Sequence, residues 1–105
     1  MLLTNTSINY SNDLSLTTEL GFIKLFKTYT LTINDIDSSV KIHEIKSNCS
    51  CVKIIEWVLF ENTLKISIEV NSKSDLVVFQ EKSLYLWEIK KEEKILVKTI
   101  NLKYI

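Results

Sequence analysis

Leu64-Lys65-Ile66-Ser67-Ile68-Glu69-Val70 decides the fold class, because apolar and polar side chains alternate through it without a break. Successive side chains of a strand point to opposite faces, so the run predicts a strand with one dry and one wet face.

Working outward, Glu61-Asn62-Thr63 reads as a short turn into a second strand over residues 52–60. There Val52, Ile54, Val58 and Phe60 hold one parity, and Ile55, Trp57 and Leu59 hold the other. Apolar residues on both faces predict a strand covered on both sides, by a sheet and by either the N-terminal arm or a partner. Downstream, Asn71-Ser72-Lys73-Ser74-Asp75 is a polar loop and Leu76-Val77-Val78-Phe79 is expected to form a short apolar strand. Residues 84–89 and 95–104 then pair as a hairpin around Lys90-Lys91-Glu92-Glu93-Lys94, with Leu96, Ile100, Leu102 and Tyr104 on one side. A helix over 84–96 is the competing reading, and the β-branched and aromatic residues favour the hairpin.

Upstream, Ile23, Leu25, Tyr29, Leu31 and Ile33 share a parity, with Lys24, Thr28, Thr30 and Thr32 largely on the other. Asn34-Asp35-Ile36-Asp37-Ser38-Ser39 is a turn whose side chains bond nearby amides, and Val40 and Ile42 begin the next strand. Residues 1–21, rich in Thr, Ser and Asn, read as an irregular arm with a short edge strand, and residues 22–105 as the domain proper. The expectation is all-β: a single immunoglobulin-like antiparallel sandwich of about seven strands, with a partly open barrel as its rival.

Composition narrows the function. The chain has 105 residues, 46% hydrophobic, which suits one domain with its own core. Thirteen basic and thirteen acidic residues cancel, and every basic one is Lys. Without a net field or the planar fork of Arg, nucleic acid is not an expected partner. One Gly and no Pro exclude phosphate-cradling loops, dinucleotide fingerprints and nucleophile elbows. No window approaches eighteen apolar residues, so no membrane-spanning helix is expected. Met1-Leu2-Leu3-Thr4-Asn5-Thr6 lacks a basic leader and is not a recognisable signal peptide, which leaves the location open.

Cys49-Ser50-Cys51 is the one local feature with chemistry of its own. In an extended chain the two thiols sit too far apart to bond, so a disulfide requires a bent loop. The principal reading is a pair of structural thiols at a sandwich rim; a disulfide and a redox or metal role are the alternatives. As ligands the thiols supply half a tetrahedral site, with His43 the sole imidazole in the chain to add to it. The spacing is not the Cys-x-x-Cys of redox helices.

Thr30-Leu31-Thr32-Ile33-Asn34, Val40-x-Ile42 and Asn48-Cys49-Ser50-Cys51-Val52 together resemble a group of small bacterial immunoglobulin-like domains. Members of that group carry Ser-Cys-Gly-Cys-Thr at this loop and are similar in turn to β-sandwiches of the ASPM and hydin type. Here Ser50 replaces the motif's Gly and Val52 its Thr. The resemblance spans about residue 22 to the C-terminus and implies a sandwich used for recognition or assembly, with no established catalytic site.

The paired acids Asp35 and Asp37 lack the remaining spacing of a calcium loop, and Glu92-Glu93 reads as a solvated tip. Trp57, Tyr85 and Trp87 are candidate interaction residues, since exposed aromatics anchor protein interfaces; their competing role is to complete the core. The functional expectation is therefore a non-enzymatic protein interaction or assembly module, its partner another protein or a second copy. It has no cofactor and engages through an edge strand or a Trp-bearing face. The alternative is a thiol-based metal or redox protein using Cys49 and Cys51.

Overall fold

The computed structural model describes residues 4–10 and 14–105. Their order is β1 (Thr4–Asn9), β2 (Ser15–Gly21), β3 (Thr28–Asn34), β4 (Glu44–Ser47), β5 (Val52–Phe60), β6 (Thr63–Val70), β7 (Gln80–Lys90) and β8 (Glu93–Tyr104). There is no helix among them, and the strands form two four-stranded sheets, β1-β3-β6-β5 and β2-β8-β7-β4.

β6 is laid down as its alternation requires. Leu64, Ile66, Ile68 and Val70 are all completely buried, while Lys65 is exposed. Leu31 and Ile33 of β3 join them on the inner face, and Leu84, Leu86, Ile100, Leu102 and Tyr104 line the inner face of the second sheet. One cluster joins the two inner faces, which is how two amphipathic sheets remove their apolar sides from water.

The expectation for residues 1–21 needs correction, because the arm is largely regular. β1 pairs with β3 and β2 with β8, each in parallel, so both sheets gain an edge strand and neither is wholly antiparallel. Polar edge strands give little alternation, since much of their stability comes from the ladder rather than from apolar burial. Met1, Leu2, Leu3, Ser11, Asn12 and Asp13 lie outside the described residues. The strand count is eight, because the arm adds two and the expected strand at 76–79 does not form. Those four residues are exposed, 76–78 are bent, and Val78 N–H donates to the Leu76 carbonyl instead of to a ladder. The strand expected to begin at Val40 starts at Glu44.

Tight turns are made without glycine. Glu61 takes a φ of 57° in the two-residue β5–β6 turn, and Lys91 and Glu92 take 51° and 65° in the β7–β8 turn. These are the left-handed conformations that match a hairpin to strand twist. The single glycine, Gly21, has φ 67° at the end of β2.

Two bulges rearrange the expected faces. Ile54 faces Ile68 and Glu56 faces Ser67, so Ile55 is an extra residue that switches the parity of β5. Trp57 and Leu59 thereby join Val52 and Ile54 on the core side, while Val58 and Phe60 turn outward. In β8, Leu86 faces Lys98 and Trp87 faces Leu96, leaving Val97 as the extra residue. Leu96 consequently lies on the face opposite Ile100, not beside it as expected.

Candidate functional site

The loop from β4 to β5 carries the chain between the sheets, and it is bent by its own side chains. Ser47 Oγ donates to the Cys49 carbonyl at 2.8 Å and accepts from Cys49 N–H at 3.2 Å; Val52 N–H donates back to the same carbonyl. This folding brings the Cys49 and Cys51 Cα atoms to 5.1 Å, and the sulfurs are bonded. The pair is a disulfide, not the free structural thiols of the principal sequence reading, because a turn replaces the extended chain. Neighbouring elements hold the loop: Asn48 exchanges hydrogen bonds with Ser83 of β7, and Asn71 donates to the Ser50 and Cys51 carbonyls.

So short a ring removes little entropy from the unfolded chain, about 1.5 kcal/mol by the loop-closure relation. Cys49→Ser/Cys51→Ser is therefore expected to remain folded, with a urea midpoint lower by about 0.5–1.5 M. A loss several times larger would show that the bond is a principal staple of the fold.

The aromatic candidates separate. Trp57 is half-buried and packs on the core, so it takes the structural role. Tyr85 and Trp87 share the outer face of the second sheet, as the alternation predicts, but that face is already engaged. Lys94 Nζ stands 5.9 Å from the Trp87 ring centre, and Glu44 accepts Lys94 and Lys46 at 3.1 Å each. The two ammonium groups, Lys94 first, hold the Glu44 carboxyl below the ordinary carboxylate range. Cys49, Trp57 and Trp87 thus occupy a loop, an edge strand and a sheet exterior; they do not converge. Among the described residues no three His, Cys, Asp or Glu side chains gather as a ligand set.

Two apolar surfaces lie apart from Cys49, Cys51, Trp57, Tyr85 and Trp87. One is the outward side of β5, where Val58 is 55% and Phe60 71% exposed. β5 is the edge of its sheet, so its outer backbone has no ladder partner among the described residues, and shallow depressions flank Val58 on either side of Lys65. The other is one end of the sandwich, built from residues 22–27 and 71–79. The β5 surface was signalled by apolar residues on both parities; the end was not, because Ile23 and Leu25 were read as part of one strand and Leu76 to Phe79 as another.

One buried cation was also unforeseen. Lys98 shares the inward parity of Ile100 and faces Leu86, and it is almost wholly buried with Nζ 4.3 Å from the Tyr10 ring centre, a cation–π distance. No family model, curated protein or solved structure matches this chain.

Proposed function

We propose that the chain is a non-enzymatic interaction or assembly module on an immunoglobulin-like sandwich, engaging a protein partner, itself included, along β5. The strand order supports the immunoglobulin-like description: β1-β3-β6-β5 corresponds to A-B-E-D and β4-β7-β8 to C-F-G, with β1 departing by running parallel to β3. The functional reading rests on the β5 edge, a nine-residue strand with a free backbone and exposed Val58 and Phe60. An uncovered apolar edge is a template for another strand, and monomers normally blunt such edges with charge or Pro. Here the bulge at Ile55 blunts only the first half; Trp57-Val58-Leu59-Phe60 carries neither device.

Sedimentation over a concentration series tests this reading. The wild type is expected to self-associate and Val58→Lys to stay monomeric at every concentration, since a charge on an exposed edge position blocks pairing while leaving the core intact. A wild type that is monomeric throughout would remove the homotypic form of the reading.

The bonded sulfurs favour a second reading, thiol–disulfide exchange at Cys49 and Cys51. A substrate dithiol would reduce the bond to two thiols and leave as a disulfide, conserving protons and electrons. Titration with a dithiol is its test: a bond that resists reduction in the folded protein would exclude it.

A further inference from the structure

We propose that the end of the sandwich formed by residues 22–27 and 71–79 is a docking surface for an anionic lipid bilayer. The two loops are joined: Lys73 Nζ donates to the Ile23 carbonyl at 2.8 Å and Phe26 N–H donates to the Val70 carbonyl at 2.9 Å. Between them lies an open cleft of about 340 Å³ whose apolar lining includes Phe22, Leu25, Leu76 and Val77. Phe22 is 78% exposed, Phe26 64%, Leu76 69% and Val77 76%. A monomer gains nothing by showing so many large apolar side chains together, and such patches mark protein or membrane contacts.

Position favours a bilayer. The molecule measures 44 × 25 × 23 Å, and its longest strands, of 11 and 12 residues, match the long dimension at about 3.3 Å per residue. β2, β6 and β8 end beside these loops and β3 and β7 begin there, so the patch caps one pole of the sandwich. Phe26 holds a φ of 61°, an unfavourable conformation for a bulky residue, without burying its ring in return.

The accompanying charges identify the occupant. Residues 22–27 contain Lys24 and Lys27 and no acid, and residues 71–79 contain Lys73 against Asp75. In a chain of zero net charge this is a local excess of cations. Lys is depleted at protein interfaces, whereas these loops set three of them among the exposed apolar residues. Phe and Leu beside Lys is the composition of an interfacial membrane contact, where rings enter the acyl boundary and ammonium groups stay among the headgroups. Glu19 and Glu81 border the patch beside Phe79, and both are paired in register with the single Lys103, which offsets one of their two charges.

Flotation of the full chain with vesicles of phosphatidylcholine, alone or with about one-third phosphatidylserine, tests the proposal. Binding to the anionic vesicles is expected to be about tenfold stronger and to weaken with salt. Lys24→Gln/Lys27→Gln should reduce it by about tenfold, and Phe22→Ser, alone or with Phe26→Ser, should bring it close to background. Circular dichroism checks that these exposed-site variants fold, and Val58→Lys, at the separate β5 surface, should float like wild type. Wild-type protein that floats no better with anionic vesicles than with neutral ones overturns the proposal. So does a folded Phe22→Ser/Phe26→Ser variant that floats undiminished. Loss of self-association in that variant, with no flotation of the wild type, assigns the pole to a second copy and overturns it equally.

Discussion

Ile66→Ala is expected to lower the free energy of unfolding by about 2–5 kcal/mol, the range for truncating a buried aliphatic side chain. Ile66 is completely buried in β6, with Leu31 of β3 facing it on one side and Trp57 of β5 on the other. A cavity there is bounded by two ladders, so the surroundings collapse poorly and the upper part of the range applies. Domains of this size have only about 5–15 kcal/mol in total, and each 1 kcal/mol moves the midpoint of heating by about 4–8 °C. Ile66→Ala should therefore melt at least about 10 °C below wild type, whereas Val58→Ala, at an exposed position, should stay within about 0.5 kcal/mol. Urea unfolding of both variants checks this; equal losses would mean that the inner and outer faces are not divided as described.

The residues most legible in the sequence were those whose burial follows a strict period. β6 announces its face because nothing interrupts its alternation, and β3 and the β7–β8 hairpin are nearly as plain. β5 showed apolar residues on both parities, which has two physical origins that sequence alone does not separate: a strand covered on both sides, or one extra residue that reverses the parity. The second explains Trp57 and Leu59, and exposed Val58 and Phe60 remain on the other face. Leu76-Val77-Val78-Phe79 misled for a different reason. A short apolar run has no period, and its similarity to a strand says nothing about whether a neighbouring backbone is available to pair with it.

The candidate site was less legible than the fold. Aromatic identity drew attention to Trp57, Tyr85 and Trp87, yet the exposed aromatic area lies largely on phenylalanines. Trp87 has its own cation partner in Lys94, and Trp57 serves the core. The cysteine pair was visible as a motif, but its bonded state depends on a turn set by the Ser47 hydroxyl and the Val52 N–H on the Cys49 carbonyl. Self-satisfied polar groups around an aromatic lower what a partner could gain there. Among the described residues the exposed Phe22, Phe26 and Phe60 side chains have no such competing contacts, which is why surface location outranks residue type.

Deletion of Ser67 should unfold the protein or lower its melting midpoint by more than about 10 °C, while deletion of Ile55 should leave a folded sandwich. Side chains alternate strictly along a regular strand, so removing one residue reverses the faces of everything on one side of the gap. Without Ser67, either Leu64 and Ile66 or Ile68 and Val70 must leave the core, at about 1.5–3 kcal/mol for each side chain. The registers with β3 and β5 would break together, since β6 is the strand between them. Ile55 differs because it is the surplus residue of a bulge. Its removal makes Ile54 and Glu56 neighbours, preserving Ile54, Trp57 and Leu59 on the inner face and Val58 and Phe60 on the outer one. Thermal unfolding followed by circular dichroism distinguishes the two shortened chains. If the Ile55 deletion is as damaging as the Ser67 deletion, the parity of β5 is not set by a bulge, and the outward placement of Val58 and Phe60 that supports partner docking falls with it.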